Sequence, residues 1–145
     1  MTLLAILWLL PGCSRENPLG TVRVRGKVTY KAQPVAGATV TFVGEGDTKT
    51  ATAITASDGR YELATLHFAG AMPGQYAVLV EKLETPPEKA QTGSMEEAAQ
   101  NANRPLPRAK RLLPSRYSDA AKTPLHVEVK AGQANDFDLE LSDRG

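Results

Sequence analysis

Short runs in which every second residue is apolar dominate the chain. Val22, Val24, Val28 and Tyr30 alternate with Arg23, Arg25, Lys27 and Thr29, so one face enters a core and the other meets water. Ala38, Val40 and Phe42 repeat the pattern, as do Tyr61 with Leu63, Tyr76 with Val78 and Val80, Leu125 with Val127 and Val129, and Phe137 with Leu139 and Leu141. Residues 50–56, TATAITA, add a β-prone stretch. Turn residues separate these runs: Gln33-Pro34-Val35-Ala36-Gly37, Gly44 to Asp47, Ser57-Asp58-Gly59-Arg60 and Gly70 to Gly74. Asp58-Gly59 suits a two-residue hairpin loop, and the last two runs are expected to form a terminal hairpin across Ala131-Gly132. Seven short strands without an amphipathic helix of useful length predict an all-β fold, a seven-stranded antiparallel β-sandwich over residues 21–143.

A length of 145 residues leaves room for one ordinary domain. Residues 84–123 form a long irregular insertion before the last two strands, with Pro86, Pro87, Pro105, Pro107 and Pro114 in it. Ser94 and Glu97 fit a capping box for a short helix over 95–102, whose apolar side is small. Arg104, Arg108, Lys110 and Arg111 form a candidate interaction surface, which suits an anionic lipid surface or an extended protein contact. A solvated loop balanced by Glu84, Glu88, Glu96 and Glu97 is the plainer alternative.

Seventeen Lys and Arg against sixteen Asp and Glu give a net charge of +1, so no broad basic field gathers nucleic acid, and no nucleic-acid partner is expected. One Cys and two His exclude a disulfide framework and a Cys-cluster zinc site. No metal and no cofactor are expected. Asp136, Asp138 and Glu140 share a strand face and have the chemistry to hold a hard cation or shuttle protons, but any solvated strand face looks the same. Asp58 reads as a turn former, His67 as a rim or core side chain, and His126 as solvated.

Leu3 to Leu10 form an apolar run of eight residues, where a membrane-crossing helix needs about 20. A short apolar run followed by small residues is the pattern of a secretory signal. Leu10-Pro11-Gly12-Cys13 resembles the lipobox of bacterial lipoproteins. The resemblance implies that residues 1–12 are a signal peptide, that Cys13 is lipidated, and that residues 13–20 form a tether. It also implies an exported, lipid-anchored protein of the bacterial cell envelope, at the outer membrane, whose partners are the membrane and an envelope protein. Trp8 departs with the signal, which leaves the mature chain without the indole most used to stack on sugars.

Gly26-Lys27-Val28, the run Pro34 to Val40, Thr55 to Leu63 with Asp58-Gly59-Arg60-Tyr61, and Gly74-Gln75-Tyr76-Ala77-Val78 together resemble the carboxypeptidase regulatory-like domain, a prealbumin-like (transthyretin-like) sandwich. The wider layout, with Leu113 to Asp119 ahead of Thr123-Pro124-Leu125, looks like small envelope lipoproteins of planctomycete-type bacteria. Some prealbumin-like relatives are enzymes. The His-x-His pair of intradiol dioxygenases and the C-terminal Tyr-Arg-Gly-Ser of hydroxyisourate hydrolases have no counterpart in this sequence. The expectation is therefore a non-enzymatic sandwich acting as a structural or protein-binding module, with a carbohydrate- or peptidoglycan-binding module as the alternative.

Overall fold

A computed structural model describes residues 17–84 and 109–144. Its strands are β1 Val24–Tyr30, β2 Gln33–Pro34, β3 Thr39–Gly44, β4 Ala51–Ile54, β5 Arg60–Glu62, β6 Ala64–Thr65, β7 Phe68–Ala69, β8 Gly74–Glu81, β9 His126–Val129, β10 Asn135–Asp136 and β11 Leu139–Leu141, with a 3-10 turn at Ser115–Ser118. Two sheets result, and the all-β sandwich is what the alternating runs predict. One sheet is antiparallel in the order β7-β6-β4-β3-β8-β9. In the other, β1 pairs antiparallel with β5 and β2, and parallel with β10 and β11.

Alternation decides what is buried. Val24 and Val28 of β1 are fully buried while Arg25 between them is exposed. Together with Tyr61, Leu63, Leu139 and Leu141 they meet Val40, Phe42, Tyr76, Val78, Val80 and Val129 of the facing sheet. Phe42 stands at the middle, its ring centroid 6.3 Å from Tyr61, 5.7 Å from Tyr76 and 6.1 Å from Phe137, each pair tilted as aromatic quadrupoles prefer.

Two local expectations are corrected. The terminal hairpin does not form: β9 joins β8, whereas β10 and β11 cross to β1. Asn135 directs the crossing, because its amide oxygen accepts the Lys130 N–H and its amide nitrogen donates to the Lys130 and Gln133 carbonyls, closing β9 on a side chain instead of a strand. Asp58-Gly59 joins strands of different sheets instead of closing a hairpin, because β4 pairs with β3 and β6 whereas β5 pairs with β1. The Gly59 N–H closes a turn on the Ala56 carbonyl at 2.9 Å, Gly59 takes a positive φ (80°), and Asp58 accepts the Arg60 N–H on its carboxylate. A tight two-residue loop occurs earlier, at Lys31-Ala32 between β1 and β2, with φ of 51° and 63°.

Of the expected insertion, residues 109–123 are docked on the sandwich. Leu83 and Arg111 form an antiparallel bridge, Leu113 and Tyr117 are buried, and the buried Thr123 hydroxyl donates to the Val78 carbonyl. Residues 1–16, with the expected signal and Cys13, and residues 85–108, with Arg104, Arg108 and the helix expected over 95–102, lie outside the described residues. At the N-terminal side a turn at Asn17–Gly20 folds Asn17 against Thr21, whose hydroxyl donates to the Ala69 carbonyl of β7 at 2.8 Å.

Candidate functional site

The core face of β1 has glycine where the alternation calls for a large apolar residue. A Cβ built on Gly26 would stand 1.9 Å from the Phe137 carbonyl oxygen and 2.9 Å from the Tyr61 hydroxyl. The empty position lets Tyr61, the register partner of Gly26 on β5, reach across β1 and donate to the Phe137 carbonyl at 2.6 Å. In an uninterrupted parallel ladder that carbonyl would take the Lys27 N–H. Here the Lys27 N–H donates to the Asp138 carboxylate at 3.0 Å instead. The same exchange separates β10 from β11 although their register on β1 is unchanged. Burial raises the Tyr61 phenol well above its ordinary range, and the charges of Asp138 and Asp136 add to the shift.

On the solvent side of this crossing lies an open groove of about 890 Å³, bordered by Arg25, Lys27, Arg60, Glu62, Asp136 and Asp138 and flanked by Ile54. Charge is ordered across it by the register. Glu62, Arg25 and Asp136 fall in one row; Arg60 and Lys27 lie side by side in the next, with Asp138 beyond. Arg25 is held by Asp136 at 2.6 Å, and that contact raises its pKa. Glu62 pairs with Arg23 at 2.6 Å, and Arg60 leans on Asp58 at 3.4 Å. Ile54 is 73% exposed, a large apolar side chain at the groove margin. The surface offers ion pairing and hydrogen bonding in rows, with one apolar contact beside them.

Asp136 and Asp138 thus have protein partners, and among the described residues no group of three or more His, Cys, Asp or Glu is placed to hold a metal. His67 is exposed in the loop between β6 and β7, and His126 is exposed on β9. Each of the four tyrosine hydroxyls has a protein partner: Tyr30 meets Asp143, Tyr61 the Phe137 carbonyl, Tyr76 the Met72 carbonyl, and Tyr117 the Ser142 N–H.

Of the basic interaction surface, two members fall within the described residues. Lys110 is exposed and its carbonyl accepts the Glu84 N–H at 2.8 Å. Arg111 pairs with Glu81 at 3.2 Å beside the exposed Leu83 and Leu112. This patch borders a smaller pocket of about 180 Å³ formed by Tyr30, Val35, Lys82 and Leu113 among others. It lies at the Tyr30 end of β1, away from the groove. The groove has no local signature in the sequence, because its walls come from β5, β1 and β10, whose mutual register no local pattern encodes. A glycine on the core face of an alternating strand was the available signal.

No family model matches the chain, and no curated protein matches it. Among solved structures it is similar to a 9R-lipoxygenase from Cyanothece PCC8801, at 10% identity and a TM-score of 0.38, over 93% of this chain and 18% of that one. The chain therefore spans less than a fifth of the protein it matches. The expectation that this chain has no enzymatic role finds no support in this match and is withdrawn. A likeness of this size assigns no chemistry to any residue of the sandwich.

Proposed function

We propose that the chain is a bacterial cell-envelope lipoprotein, exported and anchored at the outer membrane through Cys13, whose carboxypeptidase regulatory-like sandwich serves as a structural or protein-binding module. The observation that carries the binding reading is the groove on β1, where one row sets Arg25 between Glu62 and Asp136, the next sets Arg60 and Lys27 before Asp138, and Ile54 stands exposed. An extended polypeptide bearing both signs of charge matches such rows, since each side chain finds an opposite partner while the apolar margin takes a third contact. The carbohydrate alternative is less well served: the groove's aromatic residue, Tyr61, is 4% exposed, so its ring is spent on the core instead of a sugar face.

Expression from the chain's own signal, followed by mass analysis and membrane fractionation, tests the anchor. Acyl mass on Cys13 and loss of membrane partition in Cys13→Ser support it. An unmodified soluble protein that retains residues 1–12 overturns it. Photo-crosslinking from Ile54 in the intact envelope tests the binding surface. A protein captured by wild type and lost with Arg25→Glu supports the groove, whereas retention on purified cell wall without protein capture favours the carbohydrate reading.

A further inference from the structure

The loop between β6 and β7 carries a side chain that its backbone disfavours. Thr65 pairs with Phe68, so Leu66 and His67 alone make the turn, and Leu66 takes a φ of 55°. Left-handed backbone crowds a Cβ, and hairpin loops fill such positions with Gly, Asn or Asp. Leu66 is also 72% exposed, with Phe68 half-buried behind it. A glycine would relieve the crowding and remove the exposed apolar surface at once.

The position of this tip gives the leucine a use. Thr21 donates to Ala69, the last residue of the same hairpin, and the turn at Asn17–Gly20 brings Asn17 back against Thr21. Cys13 precedes Asn17 by four residues, which reach at most about 14 Å when extended. Leu66 stands three residues from Ala69, or about 10 Å along a strand. A lipid surface holding Cys13 is therefore within reach of the tip. The opposite end of β1, where Leu112 is found, is eight residues from Val22, or about 26 Å further.

We infer that the β6–β7 hairpin, led by Leu66, is a second membrane contact that dips into the interfacial region of the bilayer and orients the sandwich. The inference rests on the reading of Cys13 as a lipid anchor. An apolar side chain at the interface leaves water, and its burial adds to the hold of the acyl chains. Two contact points fix a tilt where one flexible attachment would not, so the Leu112 end and the basic Lys110–Arg111 patch face away from the bilayer.

The test uses the full chain with Trp8→Phe, matured in a bacterial host and reconstituted into phosphatidylethanolamine and phosphatidylglycerol vesicles with brominated acyl chains. Leu66→Trp places a lone indole at the tip; Leu112→Trp places one at the far end. Blue-shifted emission and bromine quenching for Leu66→Trp, with neither for Leu112→Trp, support the inference. Equal quenching at both positions, or none at the tip of a protein whose Cys13 carries acyl mass, overturns it and leaves the anchor standing. Absence of acyl mass on Cys13 overturns the anchor, and the inference with it. Amide exchange over residues 64–69 gives a second readout in case the indole disturbs the turn: wild type should gain protection on vesicles, and Leu66→Gly should not. Unchanged exchange in the anchored wild type also overturns the inference.

Discussion

Tyr61 crosses β1 at the one core-face position where β1 has no side chain, Gly26, and its hydroxyl bonds the Phe137 carbonyl on the far side. The crossing ties β5 to the connection between β10 and β11 through a strand that lies between them. Gly26→Ala puts a methyl group 1.9 Å from that carbonyl oxygen, and the parallel strands must move away, at a cost of about 3 kcal/mol or more. Tyr61→Phe keeps the ring packing and loses the hydrogen bond, so it should cost about 1–2 kcal/mol. Urea unfolding of both variants checks the order. A Gly26→Ala protein as stable as wild type would mean that β10 and β11 do not lie against β1 as described.

Alkaline stability follows from the same phenol. Its folded pKa is raised, chiefly by burial, so the fold favours the neutral form. The contribution is fully present below the ordinary tyrosine value of about 10 and is lost as pH rises from there toward the folded value. Wild type should lose stability in that window, and Tyr61→Phe should show a shallower decline. Tyr76, raised by burial, and Tyr30, raised by its bond to Asp143, leave part of the slope in place. Parallel pH profiles of wild type and Tyr61→Phe above pH 10 would contradict the buried hydroxyl.

Val78, at the centre of β8, is fully buried between the sheets. Val78→Asp leaves a carboxylate with no counter-charge in the core and should cost several kcal/mol, enough to unfold a domain of ordinary stability. Val43, half-buried on β3, is the companion site: Val43→Asp should cost clearly less. Thermal melts of the two decide whether the inner faces are assigned correctly, and equal losses would show that they are not.

The alternating strands were readable because a half-buried strand repeats every two residues, and Val24, Val40, Val78 and Leu139 all fall inside as that period requires. Pairing was less readable. Ala131-Gly132 looks like a hairpin turn, yet the choice of partner rests on the Asn135 side chain closing β9 and on β1 having a free edge for β10 and β11. Both are long-range facts. The groove was illegible for the same reason: Arg25 and Asp136 are 111 residues apart and meet only through the register of β1 on β10. Leu66 carries no sequence signal, since its exposure and left-handed backbone belong to the folded turn alone.

The loop at Lys31-Ala32 shows how far local chemistry was overridden, and it supplies the last prediction. Two consecutive positive φ values, 51° and 63°, define the loop that joins β1 to β2, and neither residue is glycine or asparagine. Left-handed backbone costs a residue with a Cβ roughly 1–2 kcal/mol. Lys31 has a partial offset, because its ammonium pairs with Asp143 at 2.5 Å and lies 5.1 Å from the centre of the Tyr30 ring. Ala32 has no side chain with which to make such a contact. Ala32→Gly should therefore stabilise the protein by about 0.5–1 kcal/mol after the greater freedom of glycine in the unfolded chain is subtracted. Lys31→Gly should gain little, since it relieves the same strain but gives up an exposed ion pair worth about 0–1 kcal/mol. Urea midpoints at unchanged slope compare the two variants directly, and a destabilised Ala32→Gly would show that Ala32 does not sit in left-handed backbone.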